Sequence, residues 1–247
     1  MPSIRNIFIL WQKEMKDYFT SSMLYILTAF FSLIIGLLFF NYLKMSHQQT
    51  TLSMTYTVLI PLLGNINFIF IFLAPLLTMK LFSEEKKDNT LNLLFMSRLN
   101  HLDIILGKYL AVLCVSCFIL SFTFIFPAIL AFSGFSDWGL IASGFIGVVF
   151  SVLCYLSVGM FTSSLTSNGL LASFLGFSLL IIISLLILFS QISNNFIIGM
   201  ITQYSSVTFH YEEFAGGVLK SYGLIYLLSF VGFFFYLTHL SLDSRKW

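Results

Sequence analysis

Side chains capable of chemistry are scarce in this chain. Of 247 residues, 12 are Lys or Arg and 10 are Asp or Glu. Nine of these charges fall between residues 80 and 108: Lys80, Glu84, Glu85, Lys86, Lys87, Asp88, Arg98, Asp103 and Lys108. The remaining candidates do not assemble into a reactive set. Cys114 and Cys117 spell C-x-x-C inside an apolar run without a second pair of ligands, so with Cys154 they read as small hydrophobic residues. His47, His101, His210 and His239 sit at or beyond the edges of apolar segments, without H-E-x-x-H spacing and without acidic pairs. A phosphate-binding G-x-x-x-x-G-K-[ST] loop is missing too, because Gly107-Lys108 has Leu102 where the motif needs Gly and Tyr109 where it needs Ser or Thr. The expectation is a chain with no catalytic group, metal or cofactor of its own. Its one chemical peculiarity is the charged island.

The elements around that island are set by hydrophobicity. The composition is 58% hydrophobic with 30 Phe and 9% charged residues, against roughly 25% charged in soluble proteins. It predicts an all-α integral membrane protein with a single membrane domain over 1–247. A net charge of +2 offers no basic field for nucleic acid. A spanning helix needs about 20 mainly apolar residues to cross ~30 Å of hydrocarbon. Six segments qualify: 23–43, 58–80, 108–133, 139–163, 169–190 and 221–240. Lys44, Lys80, Lys108, Asp137 and Lys220 mark their edges. Counting Lys and Arg orients them. With a cytoplasmic N-terminus, Arg5, Lys13, Lys16, Lys80, Lys86, Lys87, Arg98, Lys108, Arg245 and Lys246 lie inside, and only Lys44 and Lys220 outside. Both termini are therefore expected in the cytoplasm.

Residues 1–22 are not a secretory signal, since Arg5, Lys13, Glu14, Lys16 and Asp17 interrupt the apolar residues and no small-residue cleavage site follows. Ile4, Ile7, Phe8, Trp11, Met15, Tyr18 and Phe19 recur at helical spacing, which predicts an amphipathic helix in the cytoplasmic interface. Trp11 would anchor it at headgroup level, flanked by Lys13 and Lys16. In the fourth span Gly139, Ser143, Gly147 and Ser151 form a stripe of small residues that admits another backbone, within the subunit or across a dimer seam. Thr162 to Gly169, uncharged and turn-forming, predicts a tight hairpin between spans four and five. The segment 191–220 contains an apolar run, Phe196 to Ile201, too short to span. It is expected to form a re-entrant or interfacial helical element that Gly216 and Gly217 end.

The island falls in the loop 81–107. Asp88 or Asn89 could cap a helix before Leu91, Leu93, Leu94, Phe95 and Met96, with a break near 97–100 and a second helix entering the third span. Two readings are open: a solvated loop that fixes topology, or a docking surface with Leu91, Leu94 and Phe95 as an apolar ridge among charges of both signs.

At "EEKKDNTLNLLFMSRLNHLDIILGKYL" the chain resembles the permease subunits of ABC-2 type transporters, and more narrowly the gliding-motility-type permeases. The features that match are two acidic residues, a basic pair, Thr90, the Leu-rich stretch and the exit Gly107-Lys108-Tyr109. Asn89 stands where the family often has Gly. "VGMFTSSLTSNGLLASFLGF" and the distal segment around Phe214 to Val218 are similar as well. The resemblance implies a transporter half without its own nucleotide site, paired with an ABC ATPase subunit that carries ATP and Mg. It also implies a second permease copy or homologue in the bacterial inner membrane, and it allows an auxiliary membrane subunit with a periplasmic domain. The loop would be the coupling helix, with Glu84, Glu85, Lys86 and Arg98 setting register and Thr90, Leu91, Leu94 and Phe95 completing the contact. Asn65 and Asn67 in span two could line a path or bond a neighbouring helix. A scaffold that transports nothing and a six-span membrane enzyme are the other classes.

Overall fold

The computed structural model describes residues 4–46, 55–88, 90, 101–132, 137–192 and 195–243. Its elements are helical throughout this set: α1 (Ile4–Thr20), α2 (Ser22–Ser46), a π turn Thr55–Leu59 leading into α3 (Ile60–Thr78), α4 (Lys80–Lys87), α5 (His101–Ser121), a 3-10 turn Phe122–Phe124 leading into α6 (Ile125–Phe132), α7 (Trp138–Leu165), α8 (Gly169–Ile192), α9 (Phe196–Tyr204), α10 (Val207–Ala215) and α11 (Ser221–Asp243). Six stretches are long and apolar enough to cross a membrane: Ser22–Ser46, Thr55–Lys87, His101–Phe132, Trp138–Leu165, Gly169–Ser190 and Ser221–Asp243. Four coincide with the expected spans to within a few residues.

Spans two and three differ. Helix continues past residue 80, because Met79 keeps helical dihedrals (φ −56, ψ −30) between α3 and α4. Ser163 of α7 secures this junction: its hydroxyl accepts from the Phe82 and Ser83 amides at 3.1 and 3.3 Å and donates to the Met79 carbonyl at 3.1 Å. Helix α5 begins at His101, so Lys108 lies two turns inside it and is buried rather than marking an edge. Asp88 stands at the C-terminal end of α4, where its amide bonds the Glu84 carbonyl. Leu91, Leu94, Phe95 and Arg98 lie outside the described residues, and so do His47 and Asn89.

The core forms around α7, which packs against α3, α11, α10 and α8. Small residues on α7 make this possible. A Cβ at Gly144 would sit 2.6 Å from Leu63 Cδ1 of α3, and one at Gly147 would sit 2.6 Å from Phe214 Cβ of α10. The stripe thus serves packing within the subunit at Gly147, while Gly139 has open space around it. The hairpin between α7 and α8 is tight, with Asn168 Oδ1 accepting from the Leu170 amide at 3.0 Å.

Between α8 and α11 the chain forms two short helices where one element was expected. Helix α9 has no buried residue, and it runs close to the end of α8, with the Ser190 carbonyl 3.2 Å from where a Gly199 Cβ would lie. Helix α10 buries Val207, His210, Tyr211, Phe214 and Ala215. Gly216 and Gly217 end it as expected: Gly217 adopts φ +86, and the Val218 amide turns back to the Glu213 carbonyl at 3.1 Å.

Gly147→Ala should therefore lower the thermal midpoint of the purified protein, because overpacking at backbone level costs about 1–3 kcal/mol. Gly36→Ala, with nothing within 4 Å of its Cβ, should leave the midpoint unchanged or raise it slightly.

Candidate functional site

Three charged side chains from three elements meet inside the α1 end of the bundle. Lys108 of α5 is 2% exposed, and its Nζ lies 2.8 Å from Glu14 Oε1 of α1 and 2.8 Å from Glu85 Oε1 of α4. The two carboxylate side chains are 11% and 16% exposed. Phe82 covers the ammonium, its ring centroid 5.5 Å from Nζ.

Local sequence explains how the triad assembles. Gly107 admits α1: a Cβ there would meet Leu10 Cδ2 at 3.0 Å and the Ile7 carbonyl at 3.3 Å. Lys108 then reaches Glu14 one turn further along α1. Tyr109 points the other way, donating its hydroxyl to the Leu153 carbonyl of α7 at 2.9 Å and packing edge-on against Phe235 of α11 at 4.6 Å. Three consecutive residues therefore fix α5 to α1, α4, α7 and α11. A buried ion pair adds little net stability relative to apolar packing, but separating it strands a charge at a cost of about 3–5 kcal/mol. Relative motion among α1, α4 and α5 is therefore opposed, and the three are coupled mechanically.

The island residues occupy two environments. Glu84 is exposed and pairs with Lys80 at 2.9 Å on the solvent side of α4, a contact of small energetic weight. Glu85 and Lys86 turn inward. Lys86 Nζ donates to the Ser164 carbonyl near the C-terminal end of α7, where the helix dipole favours a cation. The same carbonyl accepts from the Ser241 hydroxyl of α11 at 3.1 Å. Thr90 is exposed, and its amide closes a turn onto the Glu85 carbonyl at 3.0 Å. On α1, Lys13 and Lys16 are exposed and Trp11 is half-buried, its ring 5.3 Å from that of Phe8. Tyr18 donates its hydroxyl to the Leu77 carbonyl at 2.7 Å. Burial, then Glu14 and Glu84, push that phenol far above its ordinary pKa.

Asn65 donates to the Tyr42 hydroxyl of α2 at 2.6 Å, a bond between helices. Asn67 is buried on the other side of α3, where its side chain and that of Thr208 of α10 lie against the Tyr155 hydroxyl of α7. The two asparagines do not line a common site.

Sequence reading missed Glu14 as a site residue and took Lys108 for an edge marker. The available signal was position: Glu14 falls on the helical stripe of Ile7, Trp11 and Tyr18, and Lys108 carries the opposite charge at the head of an apolar run. The histidines also need correction. His101 and His239, expected to lack acidic pairs, both face Asp243, at 3.4 Å in each case. This contact ties the start of α5 to the end of α11, across a sequence separation that no motif reveals.

Comparison with known families decides the broad identity. Residues 8–206 match the family described as ABC-2 family transporter protein. The chain belongs to the ABC-2 transporter family. No curated protein matches it. The match includes Glu14, Glu85 and Lys108 and ends just before α10. An ABC-2 family chain with six membrane-crossing helices is a multi-pass membrane component of a transporter.

Outside the family match, α10 carries a buried titratable group. His210 Nε2 lies 3.1 Å from the Tyr204 carbonyl, which can only accept, so Nε2 carries the hydrogen and Nδ1 is bare in the neutral ring. Among the described residues Nδ1 has no hydrogen-bond partner. The ring packs on Tyr226 at 4.4 Å. Burial lowers the pKa of His210, opposed by the Tyr204 carbonyl and by Glu213. Burial also acts to raise Glu213, but hydrogen bonds from Lys220 and Tyr222 outweigh it and leave Glu213 below the usual carboxylate range.

Two outcomes follow from these geometries. Lys108→Met alone should destabilise the protein by about 3–5 kcal/mol, whereas Lys108→Met combined with Glu14→Gln and Glu85→Gln should recover most of the loss. Chemical denaturation in detergent reads both. For His210, a depressed folded-state pKa means that the unfolded chain takes up the proton first. Stability should fall as pH drops from about 7 to about 5, and His210→Phe should flatten that slope in thermal melts.

Proposed function

We propose that this chain is the permease subunit of an ABC transporter, and that α4 with the residues following it is the coupling element through which a separate ATPase subunit drives the membrane helices. The observation that carries this reading is the buried Glu14–Lys108–Glu85 triad. It joins the polar α4 directly to the third span and to the N-terminal helix, so force applied at α4 is delivered to α1 and α5 together. Hydrolysis is assigned to the partner, which would hold ATP and Mg, because this sequence has no phosphate-binding loop.

In this assembly a second permease copy or a homologue completes the membrane unit, and an auxiliary subunit with a periplasmic domain accompanies the gliding-motility-type arrangement that the quoted motifs resemble. The resemblance implies the bacterial inner membrane, and the Lys and Arg distribution supports α1, α4 and both termini on its cytoplasmic side, with α1 in the interface. Within the coupling element Lys80, Glu84, Lys87, Asp88 and Thr90 are exposed, and Glu84 and Thr90 are the two of these that belong to the quoted contact set. They are suited to contact the ATPase with Arg98 and the ridge Leu91, Leu94 and Phe95. Glu85 and Lys86, held by Lys108 and Ser164, transmit rather than dock.

Leu94→Asp should leave the permease inserted in the membrane and abolish co-purification of the co-expressed ATPase. Glu85→Gln combined with Lys108→Met should retain the ATPase but lose permease-dependent stimulation of hydrolysis. Unchanged co-purification with Leu94→Asp would remove the docking claim, and unchanged stimulation in the double variant would remove the transmission claim.

A further inference from the structure

An open cavity of about 280 Å³ lies between α1, the first turns of α2, the end of α3 and α4. Its inner wall is apolar, formed by Leu24, Leu27, Leu76 and Leu77. These leucines belong to the segments Ser22–Ser46 and Thr55–Lys87, whose composition suits hydrocarbon. The outer wall is ionic. Five carboxylates, Glu14, Asp17, Glu84, Glu85 and Asp88, face three ammonium groups, Lys13, Lys80 and Lys108, leaving two negative charges in excess.

The pairing sharpens that excess. Lys108 is shared by Glu14 and Glu85, and Lys80 bonds Glu84. Asp17 and Asp88 have no ion-pair partner among the described residues, and Glu85 Oε2 is buried there without a hydrogen-bond partner. The cavity therefore joins an unbalanced acidic mouth to a leucine floor across the boundary between water and hydrocarbon.

We propose that this cavity binds a primary ammonium carried on an alkyl chain, with the ammonium at Asp17, Asp88 and Glu85 and the first methylenes against the leucines. The source is an aminophospholipid of the adjoining leaflet, whose phosphate, between the ammonium and the chains, would lie toward the exposed Lys13. An anionic headgroup would meet the excess negative charge, and a purely polar cation would leave the leucines wet. The volume is at the small end of ligand sites, roughly 300–1,000 Å³, which suits a headgroup and the start of one chain rather than a whole lipid. The site depends on the membrane assignment and holds with or without an ATPase partner.

The test is native mass spectrometry of the purified full-length chain in detergent, titrated separately with dioleoylphosphatidylethanolamine, dioleoylphosphatidylglycerol and dodecylamine. The ethanolamine lipid should be retained over the glycerol lipid. Asp17→Asn combined with Asp88→Asn, both exposed positions outside the triad, should reduce that retention about three- to tenfold, in keeping with two partly screened ion pairs, while the thermal midpoint stays unchanged. Dodecylamine should compete. Aspartate-dependent binding of dodecylamine alone would support the same chemistry and assign it to a soluble amphiphile. Equal retention of the two lipids and no aspartate-dependent amine binding would overturn the proposal. Loss of ATPase co-purification in the aspartate variant, with lipid retention unchanged, would also overturn it in favour of a basic protein segment.

Discussion

The ammonium of Lys108 is the constraint on which the α1 end of this protein depends. A lysine two turns inside an apolar helix is tolerable only if its charge is met. The chain meets it with two carboxylates from elements that would otherwise have little reason to stay together: the N-terminal helix and the polar extension of the second span. Much of the surrounding geometry serves this meeting. Gly107 lets α1 lie against α5, and Phe82 shields the ammonium. Ser163 keeps α4 in line with α3 by bonding the amides and the carbonyl at their junction. Apolar packing alone could hold these helices at many rotations, whereas a shared charge specifies one.

The six spans were legible because hydrocarbon imposes a length and a composition, and both can be read residue by residue. Spans two and three ran longer than their apolar cores for a reason that composition hides. Glu85 and Lys86 count as polar in any sequence window, yet their partners Lys108 and Ser164 allow them to sit against the bundle. The stripe on α7 was legible as a close-approach surface, and Phe214 is the neighbour that makes Gly147 necessary. That neighbour is more than 60 positions away in sequence, and spacing within α7 could not name it.

The candidate site was half legible. The island was visible as a concentration of charge, and its first residues proved to be structural as much as exposed. Glu14 escaped notice because acidic residues on an amphipathic helix are ordinarily assigned to the wet face. Its place on the apolar stripe carried the information. Asp243 escaped because two histidines converge on it from α5 and from its own helix, and only folding brings residue 101 to residue 243.

The two ends of the bundle are held by different physics, and the difference bears on how motion would pass through it. At the α1 end the contacts are ionic and directional: the triad, Lys86 on the Ser164 carbonyl, and the two histidines on Asp243. Such contacts break discretely, since a buried charge is either met or stranded. At the other end the polar contacts, Lys220 and Tyr222 on Glu213 and His210 on the Tyr204 carbonyl, stay within the α9 to α11 segment, while α10 lies on α7 through Gly147, Tyr211 and Phe214, and α9 lies against α8 with no buried side chain of its own. Apolar contacts of that kind slide and repack at smaller cost. On the proposed coupling, a displacement entering at α4 would pass to α1 and α5 through the ionic end. It would be expressed as repacking at the end where α9 and α10 sit, which places the compliant part of the protein opposite the site where force is proposed to enter.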